Sequence, residues 1–403
     1  MKNVLIASYD MEVGGVERSL ASMLEAFDYD RHAIDVMLCR HQGDFMDLLP
    51  DRIRLMGEIR AYSTFRKPIR EIFTEGQWFL GLSRALSKLQ ADWTGRRKGL
   101  SEPGYLQMQL MWKYALPFLP RVEQSYDAAI SYLWPHYFVA DKVNAATKIA
   151  WIHTDYSMVE ANPELDLAMW DKFHYIVAVS EACRQSFLSR YESLSSKLFV
   201  IENITSPAFV RSMAGGPAAN PMDRDSRFKL LTVARLSHAK GIDQAVQALK
   251  LLRDRGFPDI AWYVVGYGGD EALIRDLIRG NGLEDSFILL GKQTNPYPYI
   301  RSCDLYVQPS RYEGKAVTVT EAKIIGKPIL ITNYSTAHSQ VVDGYDGCIA
   351  DMSIEGIADG IQRLYRDEAL RAHLAGTCIH TDYSNGSELE KLYSLIGVRK
   401  EGA

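Results

Sequence analysis

Residues Asp304 to Thr332 read DLYVQPSRYEGKAVTVTEAKIIGKPILIT. The pattern predicts a strand ending near Pro309, a loop carrying Glu313 and Gly314, a helix from about Val317 or Thr318 to Ile325, and a new strand after Lys327 and Pro328. Strand, helix and strand in this order are the repeating unit of a parallel sheet covered by helices.

The same alternation runs outward in both directions. Upstream lie strand patterns at Lys229–Ala234, Ala261–Val265 and Phe287–Leu290, with helical patterns at Ile242–Arg255 and Asp270–Gly280. Earlier still come strands at Val4–Ser8, Ala33–Leu38, Ala128–Tyr132, Lys148–His153, Tyr175–Val179 and Leu198–Glu202, and a helix from about Gly15 to Phe27. Between the two series, Ser206–Arg227 holds Pro207, Gly215, Gly216, Pro217 and Pro221 without a clear apolar period, and reads as a linker. The expected fold is therefore α/β, with two Rossmann-like doubly wound domains facing across a crevice, where such sheets bind ligands beyond the carboxyl ends of their strands.

Length and composition agree with two globular cores. The chain has 403 residues, 47% hydrophobic and 24% charged, with a formal net charge of -4. That charge argues against general nucleic-acid binding, which needs clustered cations. Cys39, Cys183, Cys303, Cys348 and Cys378 show neither CxxC nor zinc-ligand spacing, so structural thiols in a reducing, cytoplasmic compartment are expected. The apolar run at Val4 is too short for a signal peptide, and no stretch of about 18 apolar residues appears, so membrane contact would be peripheral.

Chemistry concentrates at predicted strand ends. The helix after Glu313 starts with free backbone amides, and with its dipole these make an anion site suited to a diphosphate. Glu313 and Glu321, eight residues apart, could both face a ligand there and accept hydrogen bonds from its hydroxyls; equally, Glu321 could complement the helix dipole and Glu313 be solvated. In Val233-Ala234-Arg235-Leu236-Ser237-His238-Ala239-Lys240-Gly241, Arg235 and Lys240 share one strand-to-helix loop and can both turn to a phosphate. Gly14 and Gly15, before Glu17, would permit unusual backbone angles and close ligand approach, and Gly266 breaks a strand in the same manner. His153 closes a strand, with Asp155 two residues on.

With these motifs, E-x7-E at Glu313 and Glu321, R-L-x-x-x-K-G at Arg235, GGxER at Gly14 and GxG at Gly266, the chain resembles retaining glycosyltransferases of the GT-B fold, family 4 group, which build bacterial cell-surface polysaccharides. The resemblance implies domains over residues 1–206 and 207–379, with a C-terminal helix at about 380–403 expected to pack back on the first. It implies that Glu321 holds the nucleotide ribose and that Glu313 and His153 reach the donor sugar. Amides around Lys315, Ala316, Val317 and Thr318 would hold the diphosphate, Arg235 and Lys240 would neutralise it as it leaves, Gly14, Gly15 and Gly266 would border it, and Glu17 and Asp155 would lie on the acceptor side. Lys315 departs from the family pattern, where apolar or aromatic residues are common, as do Tyr267 and Gly269 beside Gly266.

A nucleotide diphosphate sugar, most commonly a UDP-sugar in this group, is then the implied donor, and a cell-surface glycan or lipid-linked molecule the acceptor. No cofactor is expected and no metal required: no DxD motif stands in a fitting context, since Asp223-Arg224-Asp225 lies in the linker. An epimerase on the same fold and a non-catalytic nucleotide-sugar-binding subunit are the competing readings. From Arg60 to Gly99 nine Lys or Arg oppose three Asp or Glu, interleaved with Phe65, Ile72, Trp78, Phe79, Leu80 and Trp93 and followed by Leu110, Met111 and Trp112. Residues 60–112 thus suit an anionic membrane surface, on the inner face of the cell membrane, or form an ordinary packed helical insert.

Overall fold

Val4, Leu5, Ile6 and Ala7 have no solvent exposure at all, and they form the centre of strand β1 (Lys2–Ser8). Continuous burial along a strand, rather than alternation, means that both faces of its sheet are covered. The computed structural model describes residues 1–12, 14–99, 104–133, 136–154, 156, 159–313 and 316–397, and the chain divides into two units. One is Met1–Ile204 with the stretch from Asn385 onward; the other is Thr205–Ser384.

In the first unit β1 is joined by β2 (His32–Leu38), β3 (Arg54–Leu55), β4 (Ser125–Ser131), β5 (Asn144–Ile152), β6 (Tyr175–Ala178) and β7 (Leu198–Val200). They form a parallel sheet in the order β3-β2-β1-β4-β5-β6-β7, with Ile6 facing Val36 on one side and Ile130 on the other. In the second unit β8 (Phe228–Val233), β9 (Ile260–Val265), β10 (Phe287–Gly291), β11 (Leu305–Gln308), β12 (Ile329–Thr332) and β13 (Cys348–Ala350) run in the order β10-β9-β8-β11-β12-β13. The winding of the first sheet is repeated with one edge strand fewer. Each sheet reverses direction at one place, between β1 and β4 and between β8 and β11. Such switch points open a ligand site at the carboxyl ends of the two strands.

One feature differs from the sequence reading. The stretch read as a linker contains a helix, Pro207–Ala214, capped by Ser206 Oγ on the Phe209 amide at 3.2 Å, with Phe209, Val210 and Ala214 buried in the second unit. Asn295 Nδ2 donates to Met213 O at 2.8 Å and fixes its end. Two helical turns flanked by Pro207 and Gly215 are too short for a sustained period, although Phe209, Val210 and Ala214 suffice to bury one face. The last helix, Ser387–Gly397, groups with the first unit: Tyr393 OH accepts the Asp28 amide at 2.8 Å, and its ring stacks on His32 with centroids 4.7 Å apart.

Candidate active site

The loops that leave β8 and β11 bring Lys240 and Glu313 together. Lys240 Nζ lies 2.6 Å from Glu313 Oε2, and the Glu313 side chain is only 6% exposed. A carboxylate so enclosed must have its lone pairs satisfied. Ser310 Oγ donates to Glu313 Oε1 at 2.7 Å and Gln308 Nε2 donates to the same oxygen at 3.1 Å. Glu313 is therefore not solvated, and Lys240 is not an idle basic residue. Arg235 stands exposed earlier on the same loop.

Close backbone approach holds the two loops in register. Gly241 has φ +65, and a Cβ there would meet Pro309 O at 1.9 Å, so only glycine lets the Lys240 loop touch the end of β11. Gly266, at φ +151, lies so close to Ala234 O that a Cβ would sit 1.8 Å away, and the Leu236 amide donates to Tyr267 O at 3.1 Å. The Gly266 stretch is thus stitched alongside Arg235. Arg311 completes the frame with a fork to Asp243, at 2.7 and 2.6 Å, and a bond to His238 O at 2.7 Å. Sequence reading missed Arg311 and Asp243, because nothing in either motif announces a partner 68 residues away.

After Glu313 comes the helix Val317–Ile324. The amides of its first residues, Val317 and Thr318, have no carbonyl of their own helix to bond. The Ala316 amide, by contrast, donates to Gln340 Oε1 at 2.8 Å. Glu321 is buried on this helix, where Tyr297 OH donates to its Oε1 at 2.8 Å. Gly314 and Lys315 lie outside the described residues. The second unit therefore gathers Arg235, Lys240, Gly266, Glu313 and the helix start at one switch point.

The remaining expected residues stand at strand ends of the first unit. Gly14 is extended, φ -154, and Gly15 opens the helix Gly15–Glu25; neither adopts the unusual angles anticipated from the glycine pair. Gly14 gives clearance instead, since a Cβ there would lie 2.1 Å from Glu17 Oε2. Burial raises the Glu17 carboxyl above the ordinary glutamate range, and nearby Asp10 adds to the effect. Asp10, absent from the expected set, is itself buried and pairs with Arg66 at 2.8 Å. His153 follows β5 with its ring centroid 4.7 Å from that of Tyr132, and both its ring nitrogens are shut off from solvent. Burial pulls its pKa down to about 3, so it is neutral at pH 7. Asp155 lies outside the described residues.

The segment 60–112 splits. Phe65, Ile72, Leu80, Leu110, Met111 and Trp112 are buried and belong to the core, so they are not available to any surface. Arg66 and Lys67 pair with Asp10 and Glu75, and Arg84 donates to Thr64 O. The large apolar residues that stay outside lie on the helix Trp78–Lys98: Trp78, Phe79, Leu82, Leu86, Leu89 and Trp93 are 53 to 68% exposed, with Lys88, Arg96 and Arg97 of the same helix also exposed. Among the described residues no helix is long and apolar enough to cross a membrane.

Comparison with known proteins bears on the same region. Residues 221–377 match the family described as Glycosyl transferases group 1. The chain is 26% identical over 213 residues to an N,N'-diacetylbacillosaminyl-diphospho-undecaprenol alpha-1,3-N-acetylgalactosaminyltransferase of Campylobacter jejuni, covering 50% of this chain and 54% of the relative. It is 25% identical over 183 residues to an alpha-D-kanosaminyltransferase of Streptomyces kanamyceticus, 43% of this chain and 47% of the relative. The chain thus spans about half the length of these curated relatives. Among solved structures, S. aureus TarM in complex with UDP and alpha-GlcNAc-glycerol shares the fold at TM-score 0.63 and 16% identity, over 99% of this chain and 100% of that one. HepE of Anabaena in complex with UDP-glucose does so at TM-score 0.59 and 17% identity, over 98% and 100%. Residues 221–377 thus match the Glycosyl transferases group 1 family, in a chain whose two Rossmann-like units share the GT-B fold of these structures.

Proposed function

We propose that the protein is a retaining glycosyltransferase that moves a hexosyl group from a nucleotide diphosphate sugar, a UDP-sugar first among them, to a cell-surface glycan or lipid-linked acceptor. The observation that carries this reading is the contact of Lys240 with Glu313 at 2.6 Å beside the start of the Val317–Ile324 helix. A cation and a carboxylate held at a switch point next to amides that have no carbonyl of their own helix to bond complement what a sugar diphosphate presents: negative charge on one side and hydroxyls on the other. The group 1 match over 221–377 covers all these residues.

In this reading Arg235, Lys240 and the Val317 and Thr318 amides stabilise the charge that grows on the diphosphate as the bond from anomeric carbon to phosphate oxygen breaks. The acceptor hydroxyl attacks the anomeric carbon on the same face, and its proton passes to the departing phosphate oxygen. Charge neutralisation falls to the chain's own cations and amides, so the reading assigns no step to a resident metal or organic cofactor. Glu321 takes the ribose diol and Glu313 the sugar hydroxyls, while Glu17 and His153 serve the first unit's side of the reaction.

Two further observations support the choice of substrates. HepE and TarM were solved with UDP-glucose and UDP respectively, and the Campylobacter relative is named for a polyprenyl-diphosphate acceptor. The exposed apolar face of the Trp78–Lys98 helix, with Arg97 over the Trp93 ring at 5.4 Å, is the part of this chain suited to an anionic bilayer interface, which would bring it to a lipid-linked acceptor. Incubation with a panel of nucleoside diphosphate sugars, followed by assay of released nucleoside diphosphate and of the anomeric configuration of the product, tests the reading. Release with retention is expected for at least one UDP-sugar. A product of inverted configuration overturns the retaining assignment, and an epimerised donor overturns transfer itself.

A further inference from the structure

The Glu313 loop and the start of the following helix are tied to one side chain that belongs to neither motif. Gln340 Oε1 accepts the Ala316 amide at 2.8 Å, while its Nε2 donates to Thr336 Oγ1 at 3.0 Å. The Thr336 hydroxyl in turn donates to the Glu313 carbonyl at 2.9 Å. Gln340 thus ties Ala316 directly and Glu313 through Thr336.

Gln340 is itself anchored from below. Lys323 Nζ donates to its backbone carbonyl and pairs with Asp346 at 2.6 Å, with the two charged side chains only 4% and 8% exposed. Asp346 also accepts the Val342 amide at 2.8 Å and the Tyr383 hydroxyl at 3.0 Å. A buried pair persists only where its remaining hydrogen-bonding capacity is met, and it then resists displacement because a lone buried charge is costly. Gln340 therefore presents its amide from a rigid base.

We propose that Gln340 is a positioning residue for the anion site: it fixes the Glu313 carbonyl, through Thr336, and it reserves the Ala316 amide so that a bound diphosphate is held by the Val317 and Thr318 amides. The inference rests on the donor reading given above. Glutamine suits this position better than glutamate. A carboxylate could still accept the Ala316 amide, but it could not donate to Thr336, and it would place a negative charge beside the diphosphate.

The test uses the full chain and the variants Gln340→Ala and Gln340→Glu. Hydrogen exchange in the absence of ligand reports on the loop alone: peptides covering residues 313–320 should exchange faster in Gln340→Ala, with the peptides of β8 and β11 unchanged. Unchanged exchange at 313–320, or faster exchange throughout the second unit, overturns the positioning role whatever the protein binds. Calorimetry with UDP and UMP then reads the consequence. UDP binding should weaken about tenfold in Gln340→Ala, the scale of one lost hydrogen-bonded arrangement, while UMP binding stays within about twofold. Gln340→Glu should weaken UDP more, with a gap that narrows at high salt. Equal losses for UDP and UMP overturn the diphosphate-specific role. Faster loop exchange in Gln340→Ala, combined with a wild-type protein that binds neither nucleotide, retains the loop-holding role and overturns the donor reading instead.

Discussion

Lys240 and Glu313, separated by 73 residues in sequence, form a part-buried ion pair at 2.6 Å across the loops that follow β8 and β11. Arg235, on the Lys240 loop, is exposed, so the two cations assigned to one task stand in different surroundings. Their substitutions should separate accordingly. Lys240→Ala leaves Glu313 enclosed without its cation and is expected to lower stability by about 1–3 kcal/mol. Arg235→Ala should leave stability unchanged. Both should cut turnover about a hundredfold or more, the effect of removing one preorganised charge-stabilising group. Urea unfolding beside steady-state kinetics checks this; near-normal turnover in a folded Arg235→Ala protein removes that residue from the leaving-group role.

Glu321 and Glu313 should divide the donor between them. Glu321→Ala is expected to weaken binding of the free nucleoside diphosphate by about ten- to a hundredfold, as for hydrogen bonds to a charged group. Tyr297→Phe removes the hydroxyl 2.8 Å from Glu321 Oε1 and should cause a milder loss of the same kind. Glu313→Ala should weaken the intact donor and leave the free diphosphate nearly unaffected. Calorimetry with both ligands distinguishes the outcomes, and equal effects of the two glutamate variants on both ligands refute the division.

His153 and His136 make stability depend on pH. Burial holds both near a pKa of about 3 in the folded protein, against the ordinary 6.5. Between these values the unfolded chain binds more protons than the folded one, so the stabilising contribution is complete above about pH 6.5 and is lost as the pH falls. The slope is about 1.4 kcal/mol per pH unit for each histidine. Urea midpoints at about pH 7.5 and about pH 5 should drop for the wild-type protein and drop less for His153→Gln. Parallel drops would mean that His153 does not remain neutral in the fold.

Vesicle sedimentation addresses the exposed face of the Trp78–Lys98 helix. Binding to anionic vesicles at low salt is expected, with weaker binding at high salt, loss on Arg96→Gln with Arg97→Gln, and loss on Trp93→Ser with Leu89→Ser. Neutral vesicles should bind little. No sedimentation with either vesicle rules out this face as a membrane contact.

Most strand and helix positions were legible because fully covered parallel strands are continuous apolar runs with small residues or prolines at their ends. Arg235, Lys240, Glu313 and Glu321 could be singled out because each lies in a short motif at such an end. What held them in place was not legible. Gln340, Tyr297, and the Arg311 and Asp243 pair act through contacts between residues distant in sequence, which local pattern does not encode. Gly14 misled because a glycine that makes room for a side chain looks, in sequence, like one that bends the backbone. The 60–112 segment mixed core and surface aromatics, since its helices bury one face and expose another, and composition counts both.

The docking of Tyr393 against Asp28 and His32 sets an order of events during synthesis. Residues 387–397 leave the ribosome after the whole of the second unit, yet they pack on the start of β2, a strand made before that unit. The first unit thus waits with the start of β2 uncovered until the second unit has been made, and the second can complete its sheet before the first is closed. A chain released after Ser384 would carry the whole second unit and a first unit still lacking its last helix.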